Sequence, residues 1–549
     1  MGGRRARTMT VMSDTGRAGT TGFRSDRAAH GERPPAAARS GTRAEPPAAP
    51  PAASPPSGWS DRRIAFLVGI AATALGLAGI WIPSYWGDEA ATLMSARRDW
   101  ASLAALLGTI DAVHGLYYAF MHLWIDLVGT SPFAVRLPSG LAFGAAAAGL
   151  YLLVRTRADR GTALVAASVL AMTPRVTQAA TEARPLAFAT ATAVWLTLLL
   201  VRLLDGRMPR AWWWAYGAGV AAAGTLNLYV LLLVPVHAVA AIMHPARRAR
   251  LGAFAGGVGV AAVLAAPIMA AAVSQREQIA FREDQEVVTL TGVLVGQWFM
   301  LVSLAVVAWA LVVAGVVLAL VHRADPAWAG RRWLLAVALA WIVIPTTVLV
   351  AVTALVTPAY TPRYLVFCAP GAAIAIAVAA SALRRGWQRA LIVVAVAALA
   401  LPAYVDQRTP YSKNAGTDWQ DVSATVERLA EPGDGVLFDE GVRPSRRPRL
   451  AMHTYPDGFA GLRDLGLVRA HDRTDGLWDV TAPLAEVVDR LRGIDRVVVV
   501  SRSERGADDD IRVLLEAGFV ERERVQLESD VVRSFERRPL SAGSREPPA

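Results

Sequence analysis

The stretch IAFLVGIAATALGLAGIWIP, residues 64–83, runs directly into Ser84-Tyr85-Trp86-Gly87-Asp88-Glu89. An α-helix rises about 1.5 Å per residue, so about 20 apolar residues cross the hydrocarbon of a bilayer. The run therefore predicts a membrane span that delivers two adjacent carboxylates to one membrane surface. It stands behind a long polar segment and exceeds the apolar core of a signal peptide, which marks it as a retained first span.

The same ruler, moved along the chain, predicts ten further spans: 135–154, 163–173, 185–204, 211–224, 226–243, 251–273, 298–321, 333–357, 364–383 and 390–404. A hydrophobic content of 54% with only 18% charged residues fits a chain whose solvent is a bilayer. The net charge of +11 does not trace a nucleic-acid footprint, because Lys and Arg gather in the N-terminal tail and in short loops between spans. Those loops carry Arg62 and Arg63, Arg155 and Arg157, Arg202 to Arg210, Arg247 and Arg248, Arg331 and Arg332, and Arg384 and Arg385. They are alternate connections, as the positive-inside rule requires of one cytoplasmic face. The N-terminus is thus expected inside a cell membrane. An odd number of spans then puts the segment after Tyr404 outside, together with the loops 84–134, 174–184, 274–297 and 358–363.

Residues 1–60 are rich in Arg, Ala, Pro, Gly and Ser without apolar periodicity, and are expected to be a disordered cytoplasmic tail. Residues 61–404 form the membrane domain. From 405 to 537 charged stretches alternate with short apolar runs such as Gly435-Val436-Leu437-Phe438 and Val497-Val498-Val499-Val500. These have the length of buried strands, and 422–429 and 511–517 have helical spacing, so a small extracytoplasmic α/β domain is expected, with a short disordered tail over 538–549.

The outer loops hold the residues that can carry chemistry. Asp88 and Glu89 leave a membrane helix together, and an unpaired charge near hydrocarbon costs a few kcal/mol, so they need either a function, simple solvation, or a partner such as Arg97 or Arg98. Further along the loop, Leu116, Ala119, Phe120, Leu123 and Trp124 recur at helical spacing and predict an interfacial helix. His114 and His122 are two turns apart and do not form the i,i+4 pair of zinc proteases. Thr181-Glu182-Ala183-Arg184-Pro185 starts the fourth span, where Glu182 and Arg184 either neutralise one another or face a polar substrate. The loop 275–286 mixes charges of both signs and reads as a solvated face. Arg363, followed by Tyr364, stands at the mouth of the tenth span, suited either to a phosphate ligand or to snorkelling toward lipid headgroups. One cysteine, Cys368, permits no intramolecular disulfide and no cysteine-based metal site. No Walker loop or dinucleotide fingerprint is present, and charges are nearly absent from mid-span positions, which weakens nucleotide-driven and ion-coupled transport.

These motifs, taken in order, resemble glycosyltransferase family 39 of the GT-C superfamily, the group of dolichyl-phosphate-mannose protein mannosyltransferases and lipid A aminoarabinose transferases. The resemblance rests on Asp88-Glu89, on His114 with Leu116-Tyr117-Tyr118 and His122-Leu123-Trp124, on Phe133-Ala134-Val135-Arg136-Leu137-Pro138-Ser139, and on Glu182-Ala183-Arg184-Pro185. Family members carry prolines after the first histidine position, where this chain has Gly115. The resemblance implies transfer of a sugar from a polyprenyl-phosphate donor to a glycan, lipid or protein acceptor on the outer face, with inversion. It implies Asp88 as general base, Glu89 as its support, Glu182 as a second acid, and Arg184 and Arg363 as ligands of the departing phosphate. His114, Tyr117 and Tyr364 are further substrate-binding candidates. No metal ligand and no cofactor is assigned, and metal dependence stays open. Two other readings remain on the residues alone: a flippase or transporter of a lipid-linked glycan, and a non-catalytic scaffold of envelope assembly.

Overall fold

The computed structural model describes residues 59–276, 288–413, 416–503 and 507–538. The two tails expected to be disordered and the charged loop at 277–286 fall almost wholly outside them. Ser60 caps α1 (Asp61–Leu77), its hydroxyl accepting from the Arg63 N–H. Three short helices follow, α2 (Gly87–Ala96), α3 (Trp100–Thr109) and α4 (Gly115–Val128). Leu116, Phe120 and Leu123 of α4 are exposed while Tyr117, Tyr118 and Met121 are buried, as an interfacial helix requires.

Pro132 at the first turn opens α5 (Pro132–Arg155), and Asp159 caps α6 (Arg160–Met172). The third apolar run ends there as a helix because Pro174 disfavours helical backbone at Thr173 and starts α7 (Pro174–Ala180) instead. The remaining apolar helices are α8 (Leu186–Leu204), α9 (Trp212–Leu226), α10 (Leu233–Ile242), α11 (Arg247–Ser274), α12 (Val302–Val321), α13 (Ala329–Leu355), α14 (Ala369–Ala380) and α15 (Gly386–Asp406). Each of the eleven apolar runs contains helix, although the first is helical only to Leu77 and the eighth only from Val302. Among the described residues seven helices are long and apolar enough to cross a bilayer, and the runs in α1, α6, α9 and Leu228–Ile242 are shorter.

Helix α14 is buried on every side and forms the centre of the bundle, whereas α11, α12 and α15 turn Val263, Val306 and Leu391 outward. Such apolar exteriors are stable in lipid, where helices satisfy their own backbone. Association then depends on close packing. At Gly144 of α5 a Cβ would collide with Thr73 and with the Gly69 carbonyl of α1, so glycine there lets the two backbones approach. The arginine-rich connections meet at one end of the bundle: Arg155 pairs with Asp61 at 3.0 Å, Arg157 with Asp205 at 2.5 Å, and Arg331 and Arg389 with Asp159 at 3.6 and 2.5 Å.

After α15 the chain forms a mixed five-stranded sheet. In chain order the elements are α16 (Trp419–Leu429), β1 (Gly435–Phe438), α17 (Leu450–Thr454), β2 (Arg463–Asp464), β3 (Leu467–Arg469), β4 (Val480–Thr481), β5 (Arg496–Ser501), α18 (Asp508–Glu516), β6 (Phe519–Gln526) and β7 (Val531–Arg537). The sheet order is β2-β1-β5-β7-β6, with β1 parallel to β2 and β5, and β7 antiparallel to β5 and β6; β3 and β4 form a separate antiparallel pair. The valines of β5 are buried on both faces, which is why that strand reads as an unbroken apolar run. One apolar cluster joins this part to the loop helices, with Trp419, Phe459 and Leu477 in the same core as Leu93, Tyr118 and Met121.

Each part also contains a buried charge arrangement of its own. Arg136 near the start of α5 grips Glu89 bidentately at 2.6 and 2.7 Å, and both side chains are fully buried. The same guanidinium donates to the carbonyls of Ile80 and Pro83 at 2.8 Å, and Glu89 accepts from the Ala183 N–H at 2.9 Å. In the sheet part, Asp418 accepts from the backbone N–H groups of Ser529 and Asp530, and both carboxyls are buried. Burial, and then Asp418 beside it, pushes the Asp530 carboxyl up to about 8.

Arg136→Met leaves the Glu89 charge buried without its cation, and is expected to cost about 3–5 kcal/mol, read as a lowered unfolding midpoint in detergent; adding Glu89→Gln should return part of the loss. Asp530 gives a pH signature. Its folded form keeps a proton that the unfolded chain releases near pH 4, so its contribution to stability is full below that pH and disappears as pH rises through about 8. The unfolding temperature of Asp530→Asn should therefore exceed that of the wild type at pH 9, with the gap closing by pH 5. An equal gap at both values would mean that Asp530 does not titrate in this range.

Candidate active site

Gly87, Asp88 and Glu89 form the first turn of α2, where free N–H groups and the helix dipole favour negative charge. Successive residues of a helix point in different directions, so the two carboxylates part company. Glu89 turns inward to Arg136, whereas Asp88 opens into a cavity of about 550 Å³. Its carboxylate lies 2.8 Å from Nη2 of Arg363 and 4.0 Å from Nε of Arg184, and its carbonyl accepts from Arg184 at 3.3 Å. Neither carboxylate is held by Arg97 or Arg98, which bind the carbonyls of His453, Thr474 and Gly476.

Arg184 also lies 3.3 Å from Nε2 of His114, and Nδ1 of His114 faces Asp111 at 3.4 Å. Asp111 accepts from the Tyr118 hydroxyl at 2.8 Å. Burial by itself would raise the Asp111 carboxyl, but His114, Arg184 and Tyr118 outweigh it and hold the group down at about 2. Asp111 therefore stays a carboxylate beside the His114 ring.

Glu182 lines the cavity but does not neutralise Arg184. Its partner is Lys413, whose Nζ is 3.5 Å from the carboxylate and donates to Thr181 Oγ1 at 2.9 Å. Burial pushes the Lys413 ammonium down while Glu182 works in the opposite direction. Tyr364 stacks on Tyr229 with ring centres 5.3 Å apart, and the Arg363 guanidinium lies over the rings of Trp86 and Tyr364 at 5.1 and 5.4 Å. These flat contacts hold the fork of Arg363 in one plane. Tyr117, by contrast, packs against Phe188 and Phe120 behind the cavity and does not line it.

Six of the eight residues singled out from sequence thus line one cavity: Asp88, His114, Glu182, Arg184, Arg363 and Tyr364. Glu89 and Tyr117 stand behind it. His114 and His122 are held apart, the latter bonded at 2.8 Å to the Ala96 carbonyl. Sequence reading missed Arg136, Asp111, Tyr229 and Lys413, and also Arg276 and the segment Arg443-Pro444-Ser445, which line the same cavity. Arg136 lay within a quoted motif and Asp111 three residues before one; Lys413 and Arg443 carried no signal, being remote in sequence. A Cβ on Gly87 would collide with the Ser445 carbonyl, so glycine before Asp88 is what lets the C-terminal part close over the helix start.

Electrostatically, the guanidiniums of Arg184, Arg276, Arg363 and Arg443 surround a cavity whose carboxylates are Asp88, Asp111 and Glu182, the last paired with Lys413. The excess is positive, and forked guanidiniums suit phosphate oxygens. A cavity of this size accommodates a phosphorylated sugar.

Residues 115–273 match the family described as dolichyl-phosphate-mannose-protein mannosyltransferase. The structure is similar to that of ArnT from Cupriavidus metallidurans bound to undecaprenyl phosphate, with a TM-score of 0.55 at 13% identity over 86% of this chain and 98% of that one. The apo state of the same protein gives a TM-score of 0.53 at 15% identity and the same coverage. No curated protein matches the chain by sequence. The apolar helix bundle and its attached sheet thus share the fold of the ArnT structures, and residues 115–273 match the mannosyltransferase family model.

Proposed function

We propose that this chain is an inverting membrane glycosyltransferase, which moves a sugar from a polyprenyl phosphate to an envelope acceptor on the outer face of the cell membrane. Residues 61–404 are the catalytic membrane domain and 405–537 an outer domain that closes the cavity, with the N-terminus in the cytoplasm. The observation that carries this reading is Asp88, a carboxylate at a helix N-terminus, opening into a cavity rimmed by Arg363 and Arg184. The family match, and the undecaprenyl phosphate in the similar ArnT structure, support a lipid-phosphate donor.

In this reading the donor phosphate takes over Arg363 and Arg184, and Asp88 is released from its ion pair to face the acceptor. Asp88 accepts the acceptor hydroxyl proton as oxygen attacks the anomeric carbon from the side opposite the phosphate. The bond from that carbon to the phosphate oxygen breaks, and its electron pair leaves on the phosphate, where the guanidiniums stabilise it. His114, oriented by Asp111, and the Glu182–Lys413 pair position the sugar hydroxyls. The charges gather at one end of the helices rather than at their middle, which favours a transferase over a carrier for a lipid-linked glycan.

Purified protein incubated with radiolabelled polyprenyl-phosphate sugars and envelope-lipid acceptors should transfer label. Asp88→Asn should reduce kcat by about 10²- to 10⁴-fold while leaving the unfolding temperature within a few degrees. Arg363→Ala should chiefly raise the KM for the donor. A wild type and an Asp88→Asn variant of equal activity would remove Asp88 from the base role.

A further inference from the structure

His453, His471 and Asp479 stand 18 and 8 residues apart on three separate segments: α17, the turn His471–Arg473, and the residue before β4. They converge. Nε2 of His453 is 2.6 Å from one oxygen of Asp479, Nδ1 of His471 is 3.3 Å from the other, and the three candidate ligand atoms lie within 4.8 Å of one another. The carboxylate is aimed by the His471 backbone N–H, which donates to it at 2.8 Å. Asp479 is buried and both imidazoles keep a little exposure, so a fourth ligand such as water has room to reach them.

In and around this cluster Glu440, Asp464, Asp472 and Asp479 are balanced by Arg97, Arg98, Arg447 and Arg449, so what points to a metal is the convergence of the three ligand groups. We infer that His453, His471 and Asp479 form a zinc-type site, with three protein ligands and one open position. Two imidazole nitrogens and one carboxylate oxygen suit zinc, whereas magnesium and calcium prefer all-oxygen shells. With bonds of about 2.0–2.2 Å, the ligand atoms must stand roughly 3.3 Å apart, so small side-chain rotations close the site.

The site would act on the cavity without being part of it. The segment it pins to α17 contains Leu477 and Trp478, which line the cavity, and Thr474 and Gly476, whose carbonyls receive Arg98. The His453 carbonyl receives Arg97 at 2.7 Å. A metal at this point would hold the wall of the cavity against the end of α2, whatever chemistry the cavity performs.

The test uses the full chain, purified through a tag without histidines and never exposed to chelator. Elemental analysis should find close to one zinc per chain, falling at least tenfold in His471→Ala and in the His453→Gln, His471→Gln double variant. Cobalt(II) added to chelator-treated wild type should give the intense visible bands of a four-coordinate ion, absent from both variants. Chelation should lower the unfolding temperature of the wild type and leave that of the double variant unchanged. No zinc in the wild type together with the weak six-coordinate spectrum of free cobalt would overturn the site and leave a hydrogen-bonded His–Asp–His cluster. Equal zinc in wild type and variants would overturn it as well. If the variants fail to fold, the cobalt spectrum of the wild type decides alone.

Discussion

The Glu89–Arg136 pair is the constraint on which the active cavity depends. A carboxylate and a guanidinium taken out of water together cost several kcal/mol each, and only near-complete hydrogen bonding returns that energy. Here it is near complete: Arg136 meets both oxygens of Glu89 and three carbonyls at the end of the first span, and Glu89 takes the Ala183 N–H as well. Three segments that have no backbone ladder between them, the turn after α1, the start of α5 and the 182–184 turn, are thereby drawn to one point. Asp88 and Arg184 are immediate neighbours of groups in that knot. Their 4.0 Å separation is a consequence of it.

Adjacent carboxylates at a helix start thus divide the work by geometry. The one that faces the protein is permanently paired and rigid. Its neighbour faces a cavity, where its partners are guanidiniums that a phosphate can also bind. An Asp locked to Arg363 is a poor base, since the cation favours its ionised form at the expense of proton affinity. A phosphate competing for the same guanidinium would relieve that penalty.

The membrane bundle was legible because hydropathy is a one-dimensional signal: each apolar run of bilayer length became helix, and Pro174 ended the one that fell short. The runs 435–438 and 497–500 likewise became strands, since burial on both faces leaves no alternation to misread. Cavity-lining candidates were legible where they sat at the mouths of spans, as Asp88, Arg184 and Arg363 do. What could not be read were the partners. Glu89 and Arg136 are 47 residues apart, Lys413 and Glu182 231 apart, and nothing in local pattern links them. Tyr117 shows the converse error: it lies in the right motif, but helical phase sends its ring behind the cavity to Phe188.

The C-terminal part cannot then be an accessory hung on a finished helix bundle. Lys413 neutralises Glu182 from the first residues after the bundle, Ser445 seats on Gly87, and Arg443 and Trp478 supply cavity wall. Remove that part and Glu182 becomes a buried charge without its cation, while the start of α2 loses the backbone packed against it. The helices alone deliver Asp88 and its arginines to one end of the bundle, but the cavity they open into has walls from both halves of the chain. The wall of the cavity on that side is built from 443–445 and 477–478, segments that lie outside the helix bundle.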